Sequence, residues 1–168
     1  MLGDIQVYDS EAFGYPGARK QLVASGVLTS IKAGEPVMKL LGSPYVVAMT
    51  TNMPNTGSAF LVVGIAETTS TDTVAAAGEV QVLKMVSGIS YLIAPKVAAT
   101  WATQTLYDAL VGSRVLIDLT GTLAAGTQTY TLLAADNSAY GCVVLPLDVQ
   151  KYPNKVRFAF RNAVDYLA

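Results

Sequence analysis

The chain has 168 residues, 52% of them hydrophobic and only 14% charged, with a net charge of −1. The charged share is well below the roughly 25% of an average soluble domain, and no basic stripe is present to neutralise phosphates, which argues against nucleic-acid binding. With no histidine and a single cysteine, Cys142, the chain cannot form an internal disulfide, and it lacks the common activating pair for a nucleophile and the common ligands of zinc and iron sites.

Residues 1–24 read as an extended N-terminal arm. Gly3, Gly14, Pro16 and Gly17 break any helical or strand period. Tyr8, Phe13 and Tyr15 are unusual in a disordered tail. They mark a segment that docks, either on its own domain or on a neighbouring subunit, and they are the candidate interface residues. Residues 25–168 form a β-rich domain with a subdivision point near 95–112. From Gly26 to Leu41 the pattern is strand, turn, strand, with Val27, Thr29 and Ile31 alternating before Ala33-Gly34-Glu35-Pro36 and Val37 to Leu40 resuming. Further strands are expected at Tyr45–Met49 and Phe60–Ile65, followed by an exposed hydroxyl-rich loop at Thr68–Thr73.

Val80, Val82 and Lys84, then Ser87-Gly88, then Ile89, Tyr91 and Ile93 make the strongest hairpin pattern in the chain. One helix is expected, capped by Thr100 or Thr103, running through Leu106 and Leu110 and ended by Gly112, with Trp101, Tyr107 and Leu110 on its apolar side. Strands near Arg114–Thr120, Thr127–Leu133, Gly141–Leu147 and Lys155–Arg161 complete nine to ten short strands. The fold class is therefore mainly β: a small β-barrel or sandwich with an extended N-terminal arm and one short helix. No internal repeat stands out from the sequence pattern. Cys142, in an apolar run, reads as a small buried hydrophobe.

Reactive chemistry is hard to assemble from these residues. The acidic residues are dispersed, and neither a calcium loop nor a glycine-rich phosphate loop occurs. Val37-Met38-Lys39-Leu40 looks like the tetrapeptide that carries biotin in carrier domains, but its neighbours place Lys39 in mid-strand rather than at a hairpin tip. The expectation is no enzyme activity, no catalytic or metal-binding residue and no cofactor. The opening residues lack a basic-then-apolar leader pattern, and no run approaches the roughly 18 apolar residues of a membrane span. The composition instead fits a protein that gives surface to partner subunits, although a small Thr/Ser-rich domain solvated by hydroxyls fits it as well.

The run Ser25-Gly26-Val27-Leu28-Thr29-Ser30-Ile31-Lys32-Ala33-Gly34-Glu35-Pro36-Val37 is followed by an apolar strand ending in Gly64-Ile65-Ala66. A Thr/Ser-rich loop and Gly78-Glu79-Val80-Gln81-Val82 come next. This order resembles the opening of tailed-bacteriophage head decoration proteins, also called capsid cement or auxiliary capsid proteins, over Ser25 to Ile93. The resemblance implies a structural virion protein, made in the host cytoplasm, that sits on the outer capsid surface. It would bridge major capsid protein subunits and self-associate, often as a trimer, with no nucleic-acid or membrane partner. The alternatives are another virion β-domain of a tail, baseplate or fibre base, or a carbohydrate-binding or adhesive β-module presenting Trp101 and Tyr107.

Overall fold

A computed structural model of the chain describes residues 5–9, 18–25, 31–40, 42–50, 60–84, 89–121, 127–137 and 141–161. The fold is mainly β and has two parts. The first is a closed five-stranded barrel of β2 (Arg19–Val23), β3 (Pro36–Leu40), β4 (Tyr45–Ala48), β5 (Phe60–Ala66) and β6 (Gly78–Lys84), in the order β2-β4-β3-β5-β6. The second is a six-stranded sheet built from β1 (Ile5–Asp9), β7 (Ser90–Ile93), β8 (Arg114–Thr120), β9 (Thr129–Leu133), β10 (Cys142–Val144) and β11 (Val156–Phe160), in the order β1-β7-β11-β10-β8-β9. The sheet curls until residues just beyond β7 meet β9: Pro95 and Leu132 form a parallel bridge. Leu132 N–H donates to Ala94 O and Lys96 N–H to Leu132 O, both at 2.9 Å.

Alternation along each strand divides the apolar residues between two cores. Val23, Ile31, Val37, Val46, Ala48, Ala66, Val80 and Val82 fill the barrel. Most are β-branched, and Val and Ala leave room for a small five-stranded interior. The larger core lies against the sheet and takes Tyr91, Ile93, Trp101, Tyr107, Ile117, Tyr130, Leu132, Cys142 and Phe158. Met38, Met49, Ile65 and Leu83 of the barrel side pack into it as well. Two buried hydrogen bonds cross the same junction: Tyr130 OH donates to Met49 O at 3.0 Å, and Gln128 Nε2 donates to Glu35 Oε1 at 2.9 Å.

Ile5–Asp9 and Arg19–Val23, both inside the segment read as an arm, are strands of the sheet and the barrel respectively. The expected hairpin between β6 and β7 does not form. β6 pairs with β2 and β5, whereas β7 pairs with β1 and β11. The reason lies in β7, where all four residues are buried, so each face needs cover that a lone hairpin partner cannot supply. The hydroxyl-rich loop is exposed at Thr68, Thr69, Thr71 and Thr73 as expected, but Ser70 and Asp72 are buried. Ser70 N–H donates to Ile31 O at 2.8 Å, Ile31 N–H donates to Ser70 Oγ at 2.8 Å, and Ser70 Oγ donates to Asp72 Oδ1. The Ser70 hydroxyl thus satisfies the Ile31 backbone amide rather than facing water.

The helix α1 (Gln104–Asp108) is capped by Thr103, whose hydroxyl accepts from Leu106 N–H at 3.3 Å, and a 3-10 turn at Ala98–Trp101 precedes it. Trp101 and Tyr107 meet edge to face at 5.5 Å, and Leu110 packs on the same core. Cys142 is fully buried, and burial pushes its thiol well above the usual range. We expect Cys142 to resist thiol reagents in the folded protein and to react at the rate of a free thiol in denaturant, as read by a colorimetric thiol assay.

Candidate interface around Tyr8

Of the three candidate interface residues, Phe13 and Tyr15 lie outside the described residues. Tyr8 lies on β1, which runs antiparallel to β7. Its half-buried ring meets Tyr152 edge to face, with centroids 5.4 Å apart. The Arg157 guanidinium lies 4.3 Å from the centroid of the Tyr8 ring, and Lys151 Nζ lies 5.3 Å from that of Tyr152. Tyr8 therefore packs on its own domain and still keeps part of its ring open to solvent.

Arg157 and Tyr152 are held from behind. Arg157 sits on β11, where the alternation Val156, Phe158, Phe160 turns the apolar side chains inward and leaves Arg157 on the outer face. Its Nε donates to Ser90 Oγ at 3.0 Å and its Nη1 to Pro146 O at 3.3 Å. The Arg157 backbone N–H donates to the Tyr107 hydroxyl at 3.0 Å, and that hydroxyl donates to Leu145 O at 2.9 Å. Tyr152 is placed by the turn after Asp148, whose backbone oxygen accepts from Tyr152 N–H at 3.1 Å. The result is a preformed surface of two aromatic rings and two cations. The Arg157 side chain is already held by its hydrogen bonds, so a partner would meet little ordering cost there. The sequence flagged Tyr8; the arginine and Tyr152 were missed because only the folding of β11 beside β1 and β7 brings them together.

Tyr107 has a measurable signature. Desolvation by burial raises its pKa to about 12, against the lowering effect of the Arg157 backbone hydrogen bond and charge. A phenol held above its unfolded value of 10 favours the neutral form in the folded state. Its contribution to stability is complete below pH 10 and is lost as pH rises from 10 through about 12. A Tyr107→Phe variant is therefore expected to lose stability less steeply than the wild type between pH 10 and 12, in denaturant titrations at stepped pH.

Elsewhere, Lys96 Nζ lies 2.8 Å from Oδ2 of Asp118, a carboxylate with 3% side-chain exposure. Removing the lysine leaves the charge without that partner. We expect Lys96→Ala to cost roughly 1–3 kcal/mol, below the range for a fully buried pair because Lys96 is half exposed, and Lys96→Ala with Asp118→Asn to recover part of it. A double-mutant cycle in urea checks this. Trp101 and Tyr107, which an adhesive module would present on its surface, are instead buried. Lys39 lies within β3 and is half buried. Among the described residues, no group of three His, Cys, Asp or Glu side chains could hold a metal ion, and no helix is long and apolar enough to cross a membrane. No family model matches the chain, and searches of curated proteins and of solved structures find no match either.

Proposed function

We propose that this protein is a structural component of a phage virion that adds to the outer capsid surface and clamps neighbouring major capsid subunits, self-associating as a trimer. The observation that carries the reading is the order of motifs from Gly34-Glu35-Pro36-Val37 through Gly64-Ile65-Ala66 to Gly78-Glu79-Val80-Gln81-Val82. These motifs fall on β3, β5 and β6, consecutive neighbours in one barrel. A clamp of this kind works by mass action: a ligand that binds only the assembled shell stabilises it by its own binding free energy. Trimerisation multiplies weak contacts by holding several at high local concentration. The low charge suits broad contact surfaces, and the Tyr8–Tyr152–Arg157 cluster supplies the residue types that dominate interface energetics.

The decisive experiment incubates the purified chain with emptied capsids, measures co-sedimentation, and takes its native mass on and off the shell. A trimer, or a monomer that trimerises on the capsid, supports the reading. A strict monomer that ignores capsids but enters tail or baseplate fractions overturns it in favour of another virion position. For the contact surface, Tyr8→Ala is a cleaner probe than truncation, because deleting the first residues would also strip β1 from β7. We expect Tyr8→Ala to weaken capsid binding at least ~10-fold while the chain stays folded. Unchanged binding would move the contact elsewhere.

A further inference from the structure

We infer that the chain is a tandem duplication of one five-stranded barrel unit, with β2 to β6 the first copy, β7 to β11 the second, and β1 a strand added to the second from outside the repeat. The inference is independent of the capsid reading. It rests first on topology. If the strands of each copy are numbered 1 to 5 in chain order, the first barrel runs 1-3-2-4-5 and returns to 1 through the β2–β6 pairing. In the sheet, β7-β11-β10-β8-β9 runs 1-5-4-2-3, and the Pro95–Leu132 bridge returns strand 3 to the run-on of strand 1. Both are the same cycle. The directions agree as well: strand 1 runs parallel to strand 3 in each copy, and the four remaining contacts are antiparallel. Consecutive strands are usually neighbours, yet in both halves strand 1 passes over strand 2 to meet strand 3.

Register is the second observation. Val23, Leu22 and Gln21 face Gly78, Glu79 and Val80 in the first copy, and Ile93, Leu92 and Tyr91 face Val156, Arg157 and Phe158 in the second. Strand 5 has one burial rhythm in both: Gly78, Val80 and Val82, like Val156, Phe158 and Phe160, are buried, with half-buried residues between them.

Backbone geometry is the third. The positive-φ glycines among the described residues bracket strand 2 of each copy. Gly34 (φ 87°) and Gly42 (φ 83°) flank β3, and Gly112 (φ 86°) and Gly121 (φ 86°) flank β8. An L side chain is strained in this conformation. The surrounding sequence keeps a faint trace of the same origin. Gly34-Glu35-Pro36-Val37 compares with Gly112-Ser113-Arg114-Val115, and Gly42-Ser43 with Gly121-Thr122. Ser58-Ala59-Phe60 ahead of Val62-Val63 compares with Ser138-Ala139-Tyr140 ahead of Val143-Val144. Among the described residues, the copies diverge between strands 1 and 2, where the second carries the 3-10 turn and α1. They also diverge in use, since register-equivalent Leu22 is 47% exposed and Leu92 only 6%.

Closure of the second ring is the step most open to test. Hydrogen exchange on the full-length chain, resolved by residue, reads the Lys96 and Leu132 amides that close it, with exposed Val74 as the loop reference. We expect both amides to exchange at least ~100-fold more slowly than Val74, and within about tenfold of amides at the β2–β4 seam. Exchange of Lys96 and Leu132 at the rate of Val74, with the β2–β4 seam protected, would make the second half an open sheet and overturn the duplication.

Discussion

Replacing Gly78 by alanine is expected to destabilise the protein severely, through the five-stranded barrel. Gly78 is buried at the start of β6, opposite Val23. A Cβ placed there would run into the backbone N and Cα of Asp72 and the carbonyl carbon of Thr71. All three are main-chain atoms, so no flexible side-chain end can swing aside. Nor can the loop withdraw cheaply, because it is stitched to β6. Thr71 N–H donates to Glu79 O at 3.0 Å, Glu79 N–H donates to Thr71 Oγ1 at 3.0 Å, and Glu67 N–H donates to Gln81 O at 2.8 Å. Moving the loop by the required distance breaks these bonds and the buried Ser70–Ile31 pair with them. We expect a loss above about 4 kcal/mol, the range reserved for changes with a specific steric or polar cause. Gly42→Ala is the control: its added Cβ meets nothing, and its positive φ (83°) leaves only backbone strain, about 1–2 kcal/mol. Urea denaturation of both variants checks this, and a Gly78→Ala protein within about 1 kcal/mol of wild type would show that the loop has room to yield.

Much of the fold was legible in the sequence because much of it is local. Arg114–Thr120 carries the apolar run Val115-Leu116-Ile117 between Gly112 and Gly121, and it forms β8 over the residues expected. Thr103 capped the helix because a hydroxyl three residues before an amide satisfies that amide. What was not legible is what depends on distant partners. β6 and β7 look like a hairpin from their own residues, and only Val23 on one side and Phe158 on the other show that they belong to different sheets. Ser70 and Asp72 look like solvated loop residues until Ile31 arrives to bond Ser70, whose hydroxyl in turn donates to Asp72. Of the Tyr8 cluster only Tyr8 stood out in the sequence, as an aromatic in a punctuated segment; its companions come from near the other end of the chain. The repeat was hidden for a related reason. Ring order and turn conformation constrain glycines and burial rhythm, and leave the remaining side chains free to drift until little sequence identity remains.

Phe158→Ala should weaken the whole molecule and not only its sheet. Phe158 is fully buried on β11, with its ring 5.6 Å from that of Tyr91 and 5.5 Å from that of Phe160. Truncation removes a large apolar side chain and two ring contacts and leaves a cavity, at an expected cost of about 3–5 kcal/mol. The core that loses it also contains Met38, Met49, Ile65 and Leu83 from the barrel. Among the described residues, the barrel's own interior is filled by valine, alanine and isoleucine, while Met38, Met49, Ile65 and Leu83 add their apolar burial to the shared layer. The loss should therefore be felt by both parts in a single cooperative transition. Trp101, the sole tryptophan, lies in the shared core and reports it by fluorescence, while far-ultraviolet circular dichroism reports all the strands. Coincident denaturation curves at a lower midpoint are the expected result. A circular-dichroism transition that persists well beyond the loss of the Trp101 signal would mean that the barrel stands without the sheet, and that the shared core joins two units of independent stability.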